Sequence, residues 1–200
     1  MTKFVTFKNG KRYGINWIWY PPTVNNCKQL AHVCHYNNND RYGQMLQWDQ
    51  NGTLREVTTY VNGERHGLFI KYNEQGNKIL EINYINDMKC GLETHYHNVS
   101  QSQIQSQYVE KAINYHNGHK HGIETYDGEN GKTISYYEYD SLKKTQSYYT
   151  GKQHNEVDYN ETHVRRKYWY ESGCVELEHN GKRHGEYKEW YDSSDDSNSE

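Results

Sequence analysis

The stretch YVNGERHGLFIKYNEQGNKILEIN, residues 60–83, runs directly into YINDMKCGLETHYHN from Tyr84, and this succession decides the fold. With Tyr60 as position 1 of a unit, position 3 is Asn62, position 4 Gly63, position 7 His66, position 8 Gly67, position 13 Tyr72 and position 17 Gly76. Asn-Gly between apolar or aromatic flanks is the strongest short hairpin signal, because a two-residue turn needs positive φ at its central residues. After Gly67 the chain alternates: Leu68, Ile70 and Tyr72 share one face, and Leu80, Ile82 and Tyr84 alternate towards the next hairpin. A period of two with abundant Tyr, Thr, Val and Ile is the pattern of strands.

Working outward, seven starts lay this register along the chain: Phe7, Tyr36, Tyr60, Tyr84, Tyr115, Tyr148 and Glu178. Position 4 is then Gly10, Asn39, Gly63, Asp87, Gly118, Gly151 and Gly181, all residue types that tolerate positive φ. Position 8 is Gly14, Gly43, Gly67, Gly91, Gly122, Asn155 and Gly185, a set with the same property. The starts are 29, 24, 24, 31, 33 and 30 residues apart, so a unit of 24 residues takes insertions at its connecting turns. The expected fold is all-β: an elongated single-layer stack of antiparallel β-hairpins, about seven units over residues 1–191, with an acidic, disordered tail at 192–200.

Composition agrees. Leu, Ile, Val and Phe supply only 31 of 200 residues, while Tyr and Asn occur 21 times each and Ala and Pro twice each. A chain with 14% aromatics and a net charge of −3 is not built for disorder, and one so poor in Ala and Leu is not a helix bundle. Residues 192–200 carry four acidic groups and no basic one, leaving 23 basic against 22 acidic groups in the body. That balance excludes a general nucleic-acid binder, whose affinity needs unbalanced Lys and Arg. No apolar stretch approaches the roughly 18 residues of a membrane span, and the start MTKFVTFKNGKRYG lacks the apolar core of an export signal. An intracellular, cytoplasmic location with reduced cysteines is therefore the expectation.

These units resemble the MORN-repeat family, and more closely its variant Y-x-N-G-x-x-x-G-x-x-x-x-Y-x-x-x-G, found in antitoxin-like bacterial proteins and in large DNA viruses. The unit from Tyr60 matches that pattern throughout, and the next keeps Tyr84, Asn86, Gly91 and Tyr96 but has Asp87 and Ser100 in glycine places. The units from Tyr115 and Tyr148 offer Tyr126 and Tyr159 one place before position 13. The resemblance implies a meandering sheet of stacked hairpins used for scaffolding and protein contacts, with phospholipid binding or toxin neutralisation as further roles, and a virion location if the source is viral.

Position 6 holds Arg12, Arg41, Arg65, Lys89, Lys120 and Arg183, with Gln153 the exception. Equivalent positions two strands apart stand roughly 10 Å apart, so this is a cationic row beside the hairpin turns. Such a row suits an acidic protein surface or anionic lipid, or serves as a solvated edge that blunts sheet pairing. Position 7 holds His66, His121, His154 and His184, and the same spacing prevents neighbouring units from sharing a zinc ion bound at about 2 Å. Cys27, His32, Cys34 and His35 are the weak candidates for a tetrahedral metal site, with ordinary buried or loop roles as the plainer reading.

No phosphate-binding glycine loop, G-x-S-x-G or H-E-x-x-H occurs, and no cofactor is implied. The leading expectation is a non-enzymatic protein–protein interaction or scaffold protein. Tyr136, Tyr137, Tyr139, Tyr148, Tyr149, Tyr168 and Tyr170 are surplus to the inner face, and Tyr148 and Tyr149 are the first choice as contact residues. The alternatives are a peripheral anionic-membrane binder acting through the basic row, an antitoxin-like or immunity protein, and a viral structural or host-directed protein. Association of copies through sheet edges is a further option.

Overall fold

The computed structural model describes residues 2–22, 28–97, 108–128, 131–149, 152–159, 164–169, 175–179 and 182–183, with side chains to residue 148 and at 155–159. The described residues are all-β and antiparallel. None of them forms a helix long and apolar enough to cross a membrane. The acidic tail expected at 192–200 lies outside the described residues.

The chain divides into two compact units, Met1–Gly122 and Ile123–Glu200. The first contains β1 (Thr2–Phe4), β2 (Phe7–Lys8), β3 (Lys11–Arg12), β4 (Gly14–Trp19), β5 (Leu30–Asn37), β6 (Asp40–Trp48), β7 (Leu54–Val61), β8 (Glu64–Tyr72), β9 (Lys78–Ile85), β10 (Met88–Tyr96) and β11 (Val109–His116). Its sheet runs in the order β1-β4-β5 and then strictly along the chain to β11, while β2 and β3 pair as a small hairpin of their own. β12 (His119–Gly128) follows β11 and crosses the boundary. The second unit continues with β13 (Gly131–Glu138), β14 (Ser141–Tyr149), β15 (Lys152–Tyr159), β16 (Val164–Trp169), β17 (Val175–His179) and β18 (Lys182–Arg183), each paired with its predecessor.

The turns of the first unit are where the register placed them. Asn9-Gly10, Asn38-Asn39, Asn62-Gly63, Asn86-Asp87 and Asn117-Gly118 all carry positive φ at both residues, as a two-residue hairpin turn with the right-handed twist of its strands requires. The position-8 glycine also sits at positive φ, for example +105° at Gly67. There the ladder is interrupted: Tyr60 pairs with Arg65 and Thr58 with Phe69, so three residues around Gly67 oppose the single Thr59. On its other side each glycine lies directly opposite the tyrosine that starts the next unit, giving Gly14–Tyr36, Gly43–Tyr60, Gly67–Tyr84 and Gly91–Tyr115. A ring across from a residue without a side chain fills the gap in the pleat.

The core is a row across the strands. Asn16, Cys34, Met45, Thr58, Phe69 and Ile82 are each directly opposite the next, and on the next two strands Glu93 faces Ile113. Cys34, Thr58 and Ile82 are the most completely covered side chains among the described residues, and only Phe69 in the row is merely half-buried. One residue along each strand lies the opposite face, because successive side chains point to opposite sides of a sheet.

The second unit departs from the sequence register. A two-residue turn at Tyr139-Asp140, with φ of +46° and +66°, joins β13 to β14. The seven starts contain no such hairpin, because bulky Tyr is a poor predictor of positive φ. Tyr148 does precede a reversal, between β14 and β15 with Tyr149 opposite Lys152, but it comes one strand after the Tyr139-Asp140 turn. Successive reversals of a meander fall on alternate edges, so these two lie at opposite edges of the second unit; locally the Tyr148 hairpin keeps the expected register, with Tyr148 opposite Gln153 and Tyr149 opposite Lys152 as Tyr60 is opposite Arg65 and Val61 opposite Glu64. The start at Glu178 does precede a hairpin, with Glu178 opposite Arg183.

Candidate functional site

The basic row is built into the stack. The guanidinium of Arg12 lies 4.5 Å from the ring centroid of Tyr36, that of Arg41 5.2 Å from Tyr60, and that of Arg65 4.1 Å from Tyr84; the Lys89 ammonium is 4.7 Å from Tyr115. Each cation thus covers the tyrosine that opens the following unit, a contact of about 0.5–1 kcal/mol at an exposed site. The backbone repeats the link: the position-4 N–H of each unit donates to the position-6 carbonyl of the unit before, from Asn39 to Arg12, Gly63 to Arg41, Asp87 to Arg65 and Gly118 to Lys89, at 2.9–3.0 Å.

Where position 4 is not glycine, its side chain adds a second bond backwards. Asn39 Oδ1 accepts from the Arg12 N–H at 2.8 Å, and Asp87 Oδ1 accepts from Arg65 N–H at 3.1 Å and from Nε at 2.7 Å. The side-chain bond from Arg65, then its backbone bond, hold the Asp87 carboxyl below the usual range.

Lys89 is compensated differently, through buried Glu93. One Glu93 oxygen meets the ammonium and the other lies 2.6 Å from His95 Nε2. Burial pushes the Glu93 carboxyl up, but the bonds from Lys89 and His95 outweigh it and the net direction is down. Lys120 is half-buried in β12, and Arg183 is placed only as a backbone partner of Glu178.

The described members of the weak cysteine–histidine candidate set, His32, Cys34 and His35, do not share one face. His32 and Cys34 share one face of β5 while His35, adjacent to Cys34, points to the other, where it pairs with Ile15. Cys34 is wholly buried, its thiol donates to the His35 carbonyl at 3.4 Å, and burial pushes that thiol up. Burial and then Arg41 push His32 down. Cys27 lies outside the described residues. In the position-7 series, His66 Nδ1 lies 3.1 Å from Asn86 Oδ1 of the next unit, a link between neighbouring turns.

A surface not foreseen from the sequence is the face opposite the core row. Phe4, Trp17, Val33, Leu46, Val57 and Ile70 stand directly opposite one another across six paired strands. Phe4 is 51% exposed and Trp17 38%, with the other four half-buried. Trp17 is in ring contact with Phe4 at 5.7 Å and with Trp19 at 6.0 Å. From β9 onward the row changes to Glu81, Thr94 and Ala112. The alternation Ile15-Trp17-Trp19 is readable in the sequence, but its neighbours on the adjacent strands appear only once the strands are aligned.

Where their side chains are described, the expected contact tyrosines differ in exposure. Tyr148 is half-buried, and the Tyr149 side chain lies outside the described residues, as do those of Tyr168 and Tyr170. Half-buried Tyr136 donates its hydroxyl to Gln146 at 3.3 Å. Tyr139, 57% exposed, projects from its turn. No family model matches the chain, and no curated protein matches it.

Proposed function

We propose that the chain is a non-enzymatic scaffold that binds another protein across the apolar face running from Phe4 to Ile70. The observation that carries this reading is the uninterrupted alignment of six apolar side chains on six neighbouring strands, two of them aromatic and well exposed. Aromatic anchors on a flat, partly desolvated surface are the usual energetic centre of a protein interface. The resemblance to the MORN-repeat family supports the same reading.

Partner capture from the native source, followed by cross-linking mass spectrometry, tests it. Cross-links are expected to cluster on the strands that carry Phe4, Trp17 and Leu46. The double variant Phe4→Ser, Trp17→Ser is expected to lose the partner while keeping its hydrogen-exchange pattern at β6 to β9. Unchanged capture by that variant would refute the proposal.

A second reading, binding to anionic lipid, draws on the alignment of Arg12, Arg41, Arg65 and Lys89 beside the tight turns. It is weakened by Arg65 being paired with Asp87 and Lys89 with Glu93. Co-sedimentation with acidic vesicles that is abolished by Arg12→Glu with Arg41→Glu would favour it.

A further inference from the structure

The hairpin between β11 and β12 reads His116-Asn117-Gly118-His119-Lys120-His121. Its turn residues Asn117 and Gly118 have φ of +50° and +84°. A two-residue turn places the residues that flank it opposite one another, so His116 on β11 faces His119 on β12. His119 and His121, two apart on one strand, project from the same side of the sheet. Their exposure agrees: His116, His119 and His121 are exposed, whereas Lys120 between the last two is half-buried towards the other face. The rings of His116 and His121 are already neighbours, 5.9 Å apart between centroids.

We infer that this hairpin end is a divalent transition-metal site formed by His116, His119 and His121, taking an ion of the zinc, copper or nickel class. A His-x-His pair on one strand with a third histidine from the adjacent strand puts three imidazoles on one side of the sheet at one hairpin end. Imidazole is the ligand type these ions share. As they stand, no three ligating side chains among the described residues surround a common point. An ion bonded to each ring at about 2 Å draws them in by rotation about side-chain torsions, which exposed residues make without disturbing the ladder. Three protein ligands leave a fourth position for water or for a donor from a bound partner.

The arrangement belongs to this hairpin alone among the tight turns of the first unit. The residues at the same three places are Lys8, Lys11 and Tyr13; Asn37, Asp40 and Tyr42; Val61, Glu64 and His66; and Ile85, Met88 and Cys90. Only at 116, 119 and 121 are all three side chains imidazoles. The site adds to the proposed scaffold role and does not depend on it.

The test uses the full chain without a polyhistidine tag, stripped with chelator. It is titrated separately with Zn2+, Cu2+ and Ni2+ by calorimetry, with Co2+ absorption as a report on geometry. One saturable equivalent is expected. His116→Ala, His119→Ala and His121→Ala should each weaken it by about tenfold or more, equivalent to about 1.4 kcal/mol. His66→Ala and His95→Ala should leave it unchanged. All three substituted residues are exposed, so far-UV circular dichroism should match the parent. Absence of saturable binding, or equal binding by the triple alanine variant, overturns the inference.

Discussion

Across β5 to β9 the row that packs the sheet is Cys34, Met45, Thr58, Phe69 and Ile82, whereas across β13 to β15 the residues in direct opposition are Ile134, Gln146 and Glu156. The first row consists mainly of carbon and sulfur. The second contains a buried carboxylate that meets the Gln146 amide at 2.7 Å and the Lys144 ammonium at 2.8 Å. Their turns differ in the same sense. The hairpins that start at Tyr36, Tyr60 and Tyr84 use Asn with Gly, Asn or Asp and a glycine at the interruption of the ladder. The hairpin at Tyr139-Asp140 uses a bulky residue at positive φ and passes from Tyr137–Leu142 to Tyr136–Lys144 with one extra residue, Lys143. One backbone plan is therefore maintained mainly by apolar burial and permissive glycines across β5 to β9, and by satisfied polar groups across β13 to β15.

Truncating the apolar row should have the largest effect. Ile82→Ala empties a fully covered site and is expected to cost about 2–5 kcal/mol. In hydrogen exchange the loss should appear in β7 to β10 and leave β13 to β15 protected. Glu156→Ala is the matching test of the polar row. It strips Lys144 and Gln146 of their shared acceptor and should cost about 1–3 kcal/mol, with the loss now confined to β13 to β16.

The turn chemistry can be exchanged in either direction. Replacing Tyr139 by Asn and Asp140 by Gly should stabilise the second unit by about 1 kcal/mol, since an L-residue with a large side chain carries roughly 1–2 kcal/mol at left-handed φ. Denaturant melts reporting on β13 and β14 check it, and no gain there would mean that the Tyr139 ring makes compensating contacts.

Acid acts on the first unit at an identified group. Glu93 in the first unit has its folded-state value depressed below the ordinary 4.5. Its contribution is therefore complete above about pH 4.5 and is lost as pH falls through the lower folded value. Glu93→Gln should flatten that part of the stability profile, measured by urea titration between about pH 6 and about pH 3.

The smallest effect is expected from Arg65→Ala. Its contact with the Tyr84 ring and its exposed pair with Asp87 together contribute on the order of 1 kcal/mol. High salt should shrink the difference from the parent.

What the sequence made legible follows the strength of local physics. Asn-Gly can be read at Asn9, Asn62 and Asn117 because few conformations other than a tight turn suit it. Tyr139-Asp140 could not be read, because its conformation is imposed by the pairing of β13 with β14 and opposes the local preference of tyrosine. The basic row at position 6 was visible, yet its partners were not. Arg12 lies over Tyr36, Arg41 over Tyr60 and Arg65 over Tyr84, each in the following unit, and those neighbours meet only once the strands are set side by side. The apolar face was hidden for the same reason: Val33, Leu46 and Val57 are ordinary strand residues singly and become a surface only in register.

The backward hydrogen bond from each tight turn to the one before it has a consequence for how such a chain can change in length. From the hairpin at Phe7 to the one at Tyr115, each position-6 carbonyl accepts from the position-4 N–H that follows, so these units are interchangeable at their joints. Removing residues 60–83 would set Tyr84 under Arg41 and let the Asp87 N–H replace that of Gly63 as donor to the Arg41 carbonyl, with Gly43 again opposite a tyrosine. Length in this architecture is thus open to duplication and loss of whole units, and also to insertion at the connecting turns, since starts 24, 29 and 31 residues apart keep the same joint.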